Sequence, residues 1–509
     1  MGRKRLAKIL FRPLGKGPEN TKEWQGVSNK GYFREAFRRF LRMRLSAVAV
    51  LVIGAIILFS LIAPIFIPSS GEEMDPYYAK MGPRNAYLAS TLGIMHGTRE
   101  RRLGERGMIR LAAIGMGALD RTGDGYVSAS RASGSEYTPL LSHAREEGER
   151  VYRVKLDSYL EVGFVYKSVS REEYERMLEW ERESGLALLF PLIESNEYNP
   201  DPRDANIWYK TGEGGMPTDS LGNTVEYSEN MVLEDNYMRG EDGAPVYWSY
   251  SGGGDLESAL LRVRVLYYNY YRYRTGGAPD YIFGTDSQGY DLALRMSGGI
   301  RLSLMIALAV SLINFVIGAL VGAVEGYYGG AVDLVLERVT DVLSGVPFIV
   351  VATLFQIYLA GRVGAVPSLL FAFVLTGWLG TANRVRQQFY RFKGAEYVLA
   401  ARTLGASDGR IIWRHIFPNT LGTLITASAL VIPGVIFSES MLSFLGIMNL
   451  GGEGVTSLGT LLSEAGGIWT SYPHLILFPA LVISLLMISF NIFGNCLRDA
   501  FDPKEGARA

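Results

Sequence analysis

The chain has 509 residues, 48% of them apolar, with 51 basic and 51 acidic side chains and a formal net charge of zero. That balance hides a division: residues 71–283 carry 34 acidic and 24 basic side chains, the remainder 17 and 27, so an acidic block is set into a basic, apolar frame. The length implies more than one folding unit, and the single cysteine, Cys496, excludes a disulfide framework within the chain.

In chain order, residues 1–44 form a basic tail. Leu45–Ile67 is uncharged and long enough to cross about 30 Å of hydrocarbon as a helix. No small-residue cleavage pattern follows it, so it reads as an anchor rather than a signal peptide. The block 71–283 has the size of a domain. Within it Val151–Asp157 and Tyr159–Tyr166 read as strands, and Ser170–Ser184 as a helix whose Ser170 and Glu173 can form a capping box. Leu186–Ile193 reads as a strand confined to an edge by Pro191. Leu261–Tyr273 reads as a late aromatic strand. The mixture predicts an α+β domain inserted between the first two spans.

Two local patterns in that block invite sharper readings. Asp120–Arg131 (DRTGDGYVSASR) resembles a calcium loop at Asp120, Asp124 and Gly125, but Arg131 stands where a bidentate glutamate belongs, so it reads as a glycine-rich turn. Tyr268–Arg274 (YNYYRYR) reads as a half-buried strand in preference to a ligand-stacking surface.

Five further apolar runs follow, at about Leu302–Val324, Val342–Ala360, Pro367–Ala382, Leu421–Ile447 and Leu475–Leu497. The fold expected is therefore an α-helical polytopic membrane protein of six transmembrane helices. Its core occupies residues 284–497, and residues 498–509 form a terminal tail. Glu439 lies inside the fifth run. An intramembrane acid is costly unless it faces a cavity, which makes Glu439 a candidate for lining a translocation path; the alternative places it near the outer boundary, in water or paired.

Arg384, Arg386, Arg391, Lys393, Arg402, Arg410 and Arg414 crowd between the fourth and fifth spans. The positive-inside rule puts that loop and the N-terminal tail in the cytoplasm. An even number of spans then returns the C-terminus to the cytoplasm and leaves residues 71–283 outside.

The loop itself contains Ala400–Asn419 (AARTLGASDGRIIWRHIFPN). Tyr397, Ala400, Ala401 and Leu404 fall at helical spacing on one face, and Gly405 permits a turn with positive φ. Ser407 or Asp408 can cap a second helix carrying Ile411, Ile412 and Ile416, which Pro418 should stop before the fifth span. Such a segment could rest on lipid headgroups; its small-residue face and glycine turn suit docking onto another protein better.

The stretch resembles the EAA loop of ABC-type importer permeases. Ala400, Ala401, Gly405 and Pro418 match that pattern; Leu399, His415 and Phe417 replace its Glu, Ile and Leu, and Ile416 falls one place off. Phe283–Arg295 (FGTDSQGYDLALR), with Tyr290 for the usual Arg, resembles the segment before span two in the C-type subunit of dipeptide and oligopeptide permeases. Gly326–Pro347, Ser438–Gly446 and Leu497–Lys504 resemble further parts of that family. The resemblance implies an inner-membrane, multi-pass permease subunit of a peptide importer. A second homologous permease would complete the path, and two ATP-binding cassette subunits would dock on coupling loops, one of them on Glu396–Pro418. An extracytoplasmic binding protein would deliver cargo. It also implies a much shorter segment between the first two spans than the one present here.

No phosphate-binding Gly-x-x-x-x-Gly-Lys-Ser/Thr loop occurs, so ATP hydrolysis is expected in separate subunits. The four histidines lack paired metal spacing, and Gly405–Gly409 matches a nucleophile elbow only in letters. No catalytic residue, metal, cofactor or nucleic-acid partner is expected. The alternatives are a permease for nickel or another small solute, a membrane-anchored enzyme acting through the inserted domain, or a receptor or channel.

Overall fold

A computed structural model describes residues 29–67, 74–120, 151–194, 198, 203–228, 230–251, 260–450 and 456–501. Among them five helices are long and apolar enough to cross a membrane: Arg44–Phe66, Leu292–Tyr328, Ala365–Phe392, Asp408–Phe444 and His474–Phe501. A sixth span is made if the pair Gly330–Ser344 and Phe348–Val363, bent by 75°, is counted as one. The third run, expected as a single helix over Val342–Ala360, is thus broken at Gly345–Pro347. Pro347 is extended (ψ 128) and caps the second half, and a proline disfavours helical backbone at the residue before it.

The chain divides into two compact units, one of Met1–Leu58, Ile300–Leu450 and Val482–Ala509, the other of Phe59–Gly299 and Gly451–Leu481. The first is helical. Gly318, Gly322 and Gly326 recur every fourth residue on one face of Leu292–Tyr328. A Cβ added to them would lie 2.6 Å from Thr381, 2.2 Å from the Ala382 carbonyl and 2.5 Å from Phe389. The helix containing Thr381 and Phe389 therefore packs almost backbone to backbone on that stripe, as small residues allow inside membranes. Large apolar side chains turn outward instead: Leu51 is 70% exposed and Leu312 65%.

The second unit contains two antiparallel sheets. Strand β1 (Thr98–Gly104) pairs with β2 (Val151–Asp157), Thr98 opposite Asp157. Strand β6 (Leu260–Leu266) pairs with β3 (Phe164–Val169), β4 (Leu189–Phe190) and β5 (Trp248–Ser251). The helix Glu105–Leu119 buries nearly its whole length. Trp208 donates its indole N–H to the Ala113 carbonyl at 2.8 Å and stacks on Tyr237. Arg264 is fully buried, donating to the carbonyls of Ala205 and Pro191, with its guanidinium 3.9 Å from the Phe164 ring centre.

Strand β2 has the expected bounds, whereas β3 begins at Phe164, not Tyr159. The Asp157 carboxylate accepts from the Tyr159 amide at 2.9 Å and Gly163 takes φ 65, so the chain turns between the strands. Ser170 caps Arg171–Ser184 as expected, accepting from the Glu173 amide at 3.2 Å. The Glu173 side chain instead receives Tyr273 Oη–H at 2.7 Å.

Strand β4 shrinks to two residues ahead of Pro191. The predicted strand Leu261–Tyr273 ends at Leu266, and Tyr267–Thr275 is a helix closed by Gly276 at φ 75. Apolar–arginine alternation stops at Leu266. A helix then puts Tyr267 and Tyr271 on one face, where both rings meet Tyr78. Of the calcium-like loop only Asp120 lies among the described residues; it is buried and accepts from Tyr237 Oη–H at 3.0 Å.

Candidate functional site

The loop between the fourth and fifth spans folds as a short helix, Glu396–Thr403, a turn, and a second helical stretch. Gly405 makes the turn at φ 81, with nothing within 4 Å of where a Cβ would stand. The left-handed backbone, not crowding, is what asks for glycine there. Ser407 is the capping residue of the second stretch, but its side chain makes no capping bond. Asp408 is used differently: its carboxylate accepts from Tyr327 Oη–H at 2.5 Å, and Arg402 approaches the same hydroxyl at 3.4 Å. Tyr327 sits at the end of Leu292–Tyr328, so the turn is tied to a membrane-spanning helix on both of its sides.

Packing reinforces the tie. Val398, Ile411, Ile412 and Ile416 are buried in one cluster with Ala319, Ala323, Val385 and Phe389. Pro418 does not stop the second stretch, contrary to expectation. Ile411–Ile416 adopts a wider π-helical turn and runs into Phe417–Ala429 with Pro418 in its first turn. The widened turn moves the upstream carbonyls away from the proline ring.

The other side of the segment faces out. Leu404 is 87% exposed, and Tyr397, Leu399 and Trp413 are exposed too. Glu396 and Ala400 are exposed, Ala401 half-buried and Pro418 half-buried. The face read from helical spacing is therefore real for Tyr397, Ala400 and Leu404, and it is the uncovered one.

An ionic node ties the helix Leu379–Phe392 to Gly330–Ser344. Arg386 donates to both oxygens of Asp333, at 2.6 and 3.0 Å, and to both of Glu337, at 2.9 and 3.1 Å. Tyr390 Oη–H donates to Asp333 at 2.5 Å, and Lys393 donates to the Gly326 carbonyl at 3.0 Å. In the sequence Arg386 and Lys393 stand out only as orientation signals, and Tyr327, Asp333 and Glu337 carry no signal of their own. Their partners lie 49 to 81 positions away in sequence, beyond any local pattern.

Glu439 is 1% exposed and accepts from Ser303 Oγ at 2.9 Å, with Ser440 and Ser443 hydroxyls at 3.4 Å. Glu439 and the residues of Glu396–Pro418 are not brought into one cluster.

The motif Phe283–Arg295 forms a closed turn in the second unit. Asp286 accepts from the amides of Gln288, Gly289 and Tyr290, each at 2.9 Å, and pairs with Arg295, which also meets Glu464 at 3.2 Å. Asp291 caps the following helix through the amides of Ala293 and Leu294. Burial pushes the Asp291 carboxyl up to about 6.

Residues 315–506 match the family described as "Binding-protein-dependent transport system inner membrane component", and residues 31–83 match the N-terminal transmembrane domain of oligopeptide transport permease C. The chain is 39% identical over 236 residues to the dipeptide transport system permease protein DppC of Lactococcus lactis subsp. cremoris (strain MG1363), covering 46% of this chain and 67% of that protein. It is 40% identical over 233 residues to the oligopeptide transport system permease protein OppC of Escherichia coli (strain K12), covering 45% of this chain and 75% of that protein. Among solved structures it is similar to the MetNI methionine ABC transporter in an inward-facing conformation, at 15% identity and a TM-score of 0.35, over 41% of this chain and 96% of that one.

Proposed function

The chain belongs to the family of dipeptide and oligopeptide transport system permeases, and from that premise we propose how its parts divide the work. It is a membrane-spanning transport subunit and not an enzyme; ATP hydrolysis belongs to separate subunits, and a binding protein serves the complex. Its cargo is peptides, in preference to nickel or another small solute, since the relatives are peptide permeases. A second permease completes the path, two ATPase subunits drive it, and Glu439 contributes to its lining. The N- and C-termini and residues 384–418 are cytoplasmic, and residues 71–283 lie outside, where a binding protein docks.

The observation that carries this reading is the two-sided character of Glu396–Pro418. One side is locked down by Tyr327, Asp408 and the isoleucine cluster. The other presents Leu404, Leu399 and Tyr397 uncovered. An exposed apolar face on a rigid mount suits a coupling helix: an ATPase closing on it would move the Leu292–Tyr328 helix with it rather than bend the loop. Glu396, Ala400, Ala401, Gly405, Ile416 and Pro418 make up this element, with Ile416 on the mount and Glu396 and Ala400 on the docking side.

A cysteine in place of Leu404, in a Cys496→Ser background, tests orientation and docking together. It should resist an impermeant thiol reagent in intact cells and, in membranes, crosslink to an ATP-hydrolysing subunit. Labelling from outside, or no crosslinked ATPase, would overturn the assignment.

A further inference from the structure

The second unit contains a surface that the transport reading does not use. Residues 85–98 hold no acidic residue, lysine or arginine, the longest such stretch within 71–283. They contain the helix Ala86–Leu92, which has no buried residue. Tyr87 is 73% exposed, Leu92 65% and Ile94 48%. The helix is nonetheless well made. The Asn85 side chain caps it, accepting from the Leu88 amide at 2.9 Å, and Gly93 closes it at φ 67. The Ser90 and Thr91 hydroxyls are spent internally, both donating to the Tyr87 carbonyl, at 3.0 and 2.7 Å. A surface whose serine and threonine hydroxyls are already satisfied and which carries no charge asks little of water.

What holds the helix says where it lies. The Arg84 amide donates to the Tyr281 carbonyl at 2.9 Å, and Asn85 Nδ2 reaches Asp280 at 3.4 Å. Two residues on, Phe283 stacks against Phe478 at 4.5 Å and meets Phe59 at 5.9 Å. Phe59 belongs to the span Arg44–Phe66 and Phe478 to the span His474–Phe501. The segment that roots the helix is therefore wedged between the ends of two spans. Asn85 and Asp280 also line one cleft with Phe66 and Ile67, at the end of the first span. Ile65 and Phe66 there are themselves exposed, so the uncovered apolar surface continues from span to helix.

We propose that Ala86–Leu92, with Ile94, is an interfacial helix. Its Tyr87, Leu92 and Ile94 side chains sit among the lipids at the headgroup–acyl boundary and fix the height of the second unit against the bilayer. Tyrosine is favoured at that boundary because its ring is apolar and its hydroxyl wet. Interfacial helices bind through buried apolar area. The continuity with lipid-facing span ends selects lipid as the occupant over a docked protein.

Nitroxide labels test this on the full chain, with Cys496→Ser as background, reconstituted in vesicles of palmitoyl-oleoyl phosphatidylcholine and phosphatidylglycerol. Labels go at Tyr87→Cys and Ile94→Cys, with Tyr250→Cys in β5 as the aqueous reference. Collisions with oxygen, which partitions into lipid, are compared with collisions with a water-soluble nickel chelate. Oxygen should dominate several-fold at 87 and 94, and the chelate at 250. Chelate dominance at 87 and 94 would place the helix in water, and low collision with both reagents would place it under protein; either overturns the proposal. If Tyr87→Cys fails to accumulate, Thr91→Cys on the same helix gives the same reading.

Discussion

The two compact units differ in what their tightest contacts bury. The strand-bearing unit hides its largest side chains: Trp208, Tyr78, Phe164 and Phe190 are at most 1% exposed. The helical unit makes its closest helix contact with Gly318, Ala319, Gly322, Ala323 and Gly326, packed beside Phe389, and turns Leu51 and Leu312 outward. The contrast follows from the solvent on each side. In water, removing apolar area is the main driving force. In lipid that force between helices is absent, and close backbone packing takes its place. Apolar content alone therefore does not say which face is the core.

The comparison can be broken most forcefully by truncation. Trp208→Ala should destabilise the strand-bearing unit by about 3–5 kcal/mol, whereas Leu51→Ala, facing lipid, should change stability by less than about 0.5 kcal/mol. Denaturant titration of the reconstituted protein, with both variants beside the parent, measures the difference. Comparable losses would mean that Leu51 is a core residue after all.

The reverse substitution sharpens the other half. Gly322→Val places a Cβ where the Ala382 carbonyl oxygen is 2.2 Å away and should cost about 1–3 kcal/mol as overpacking. Thermal scans in detergent should show a lowered midpoint. An unchanged midpoint would mean that the two helices are not in close contact.

A third, pH-dependent effect separates burial of charge from burial of volume. Asp291 has its carboxyl held up at about 6 by burial, above the ordinary value of about 3.9. Folding therefore disfavours its charged form. The penalty is absent below about pH 4, grows as pH rises toward 6 and is complete above it. An Asp291→Asn side chain would keep a capping oxygen for the amides of Ala293 and Leu294 while losing the charge. The substitution should thus gain about 3 kcal/mol near pH 7.5 and little near pH 4, read from denaturant midpoints at the two pH values. A gain independent of pH would refute the cause.

Much of this was legible in the residues. The long apolar runs marked the membrane helices, because length and lack of charge are local properties. Gly405 announced its turn, and Ser170 its helix start. The misses share a cause. Tyr267–Thr275 reads as a strand by composition and becomes a helix because Tyr78, nearly 190 positions earlier, offers a surface for Tyr267 and Tyr271. The Tyr327–Asp408 tie and the Arg386 node join residues far apart in the chain. The π-helical turn before Pro418 depends on a backbone compromise that no residue type signals.

Gly405 tests the proposed role of Glu396–Pro418 in carrying force between an ATPase and the path. A Cβ there has nothing within 4 Å, so Gly405→Val acts chiefly through its φ of 81, costing about 1 kcal/mol. Peptide uptake and transport-linked ATP hydrolysis should be measured in proteoliposomes holding the complete complex, with equal amounts of permease inserted. Both should fall together while the permease still reaches the membrane. Uptake and hydrolysis at parental rates in Gly405→Val would remove that role.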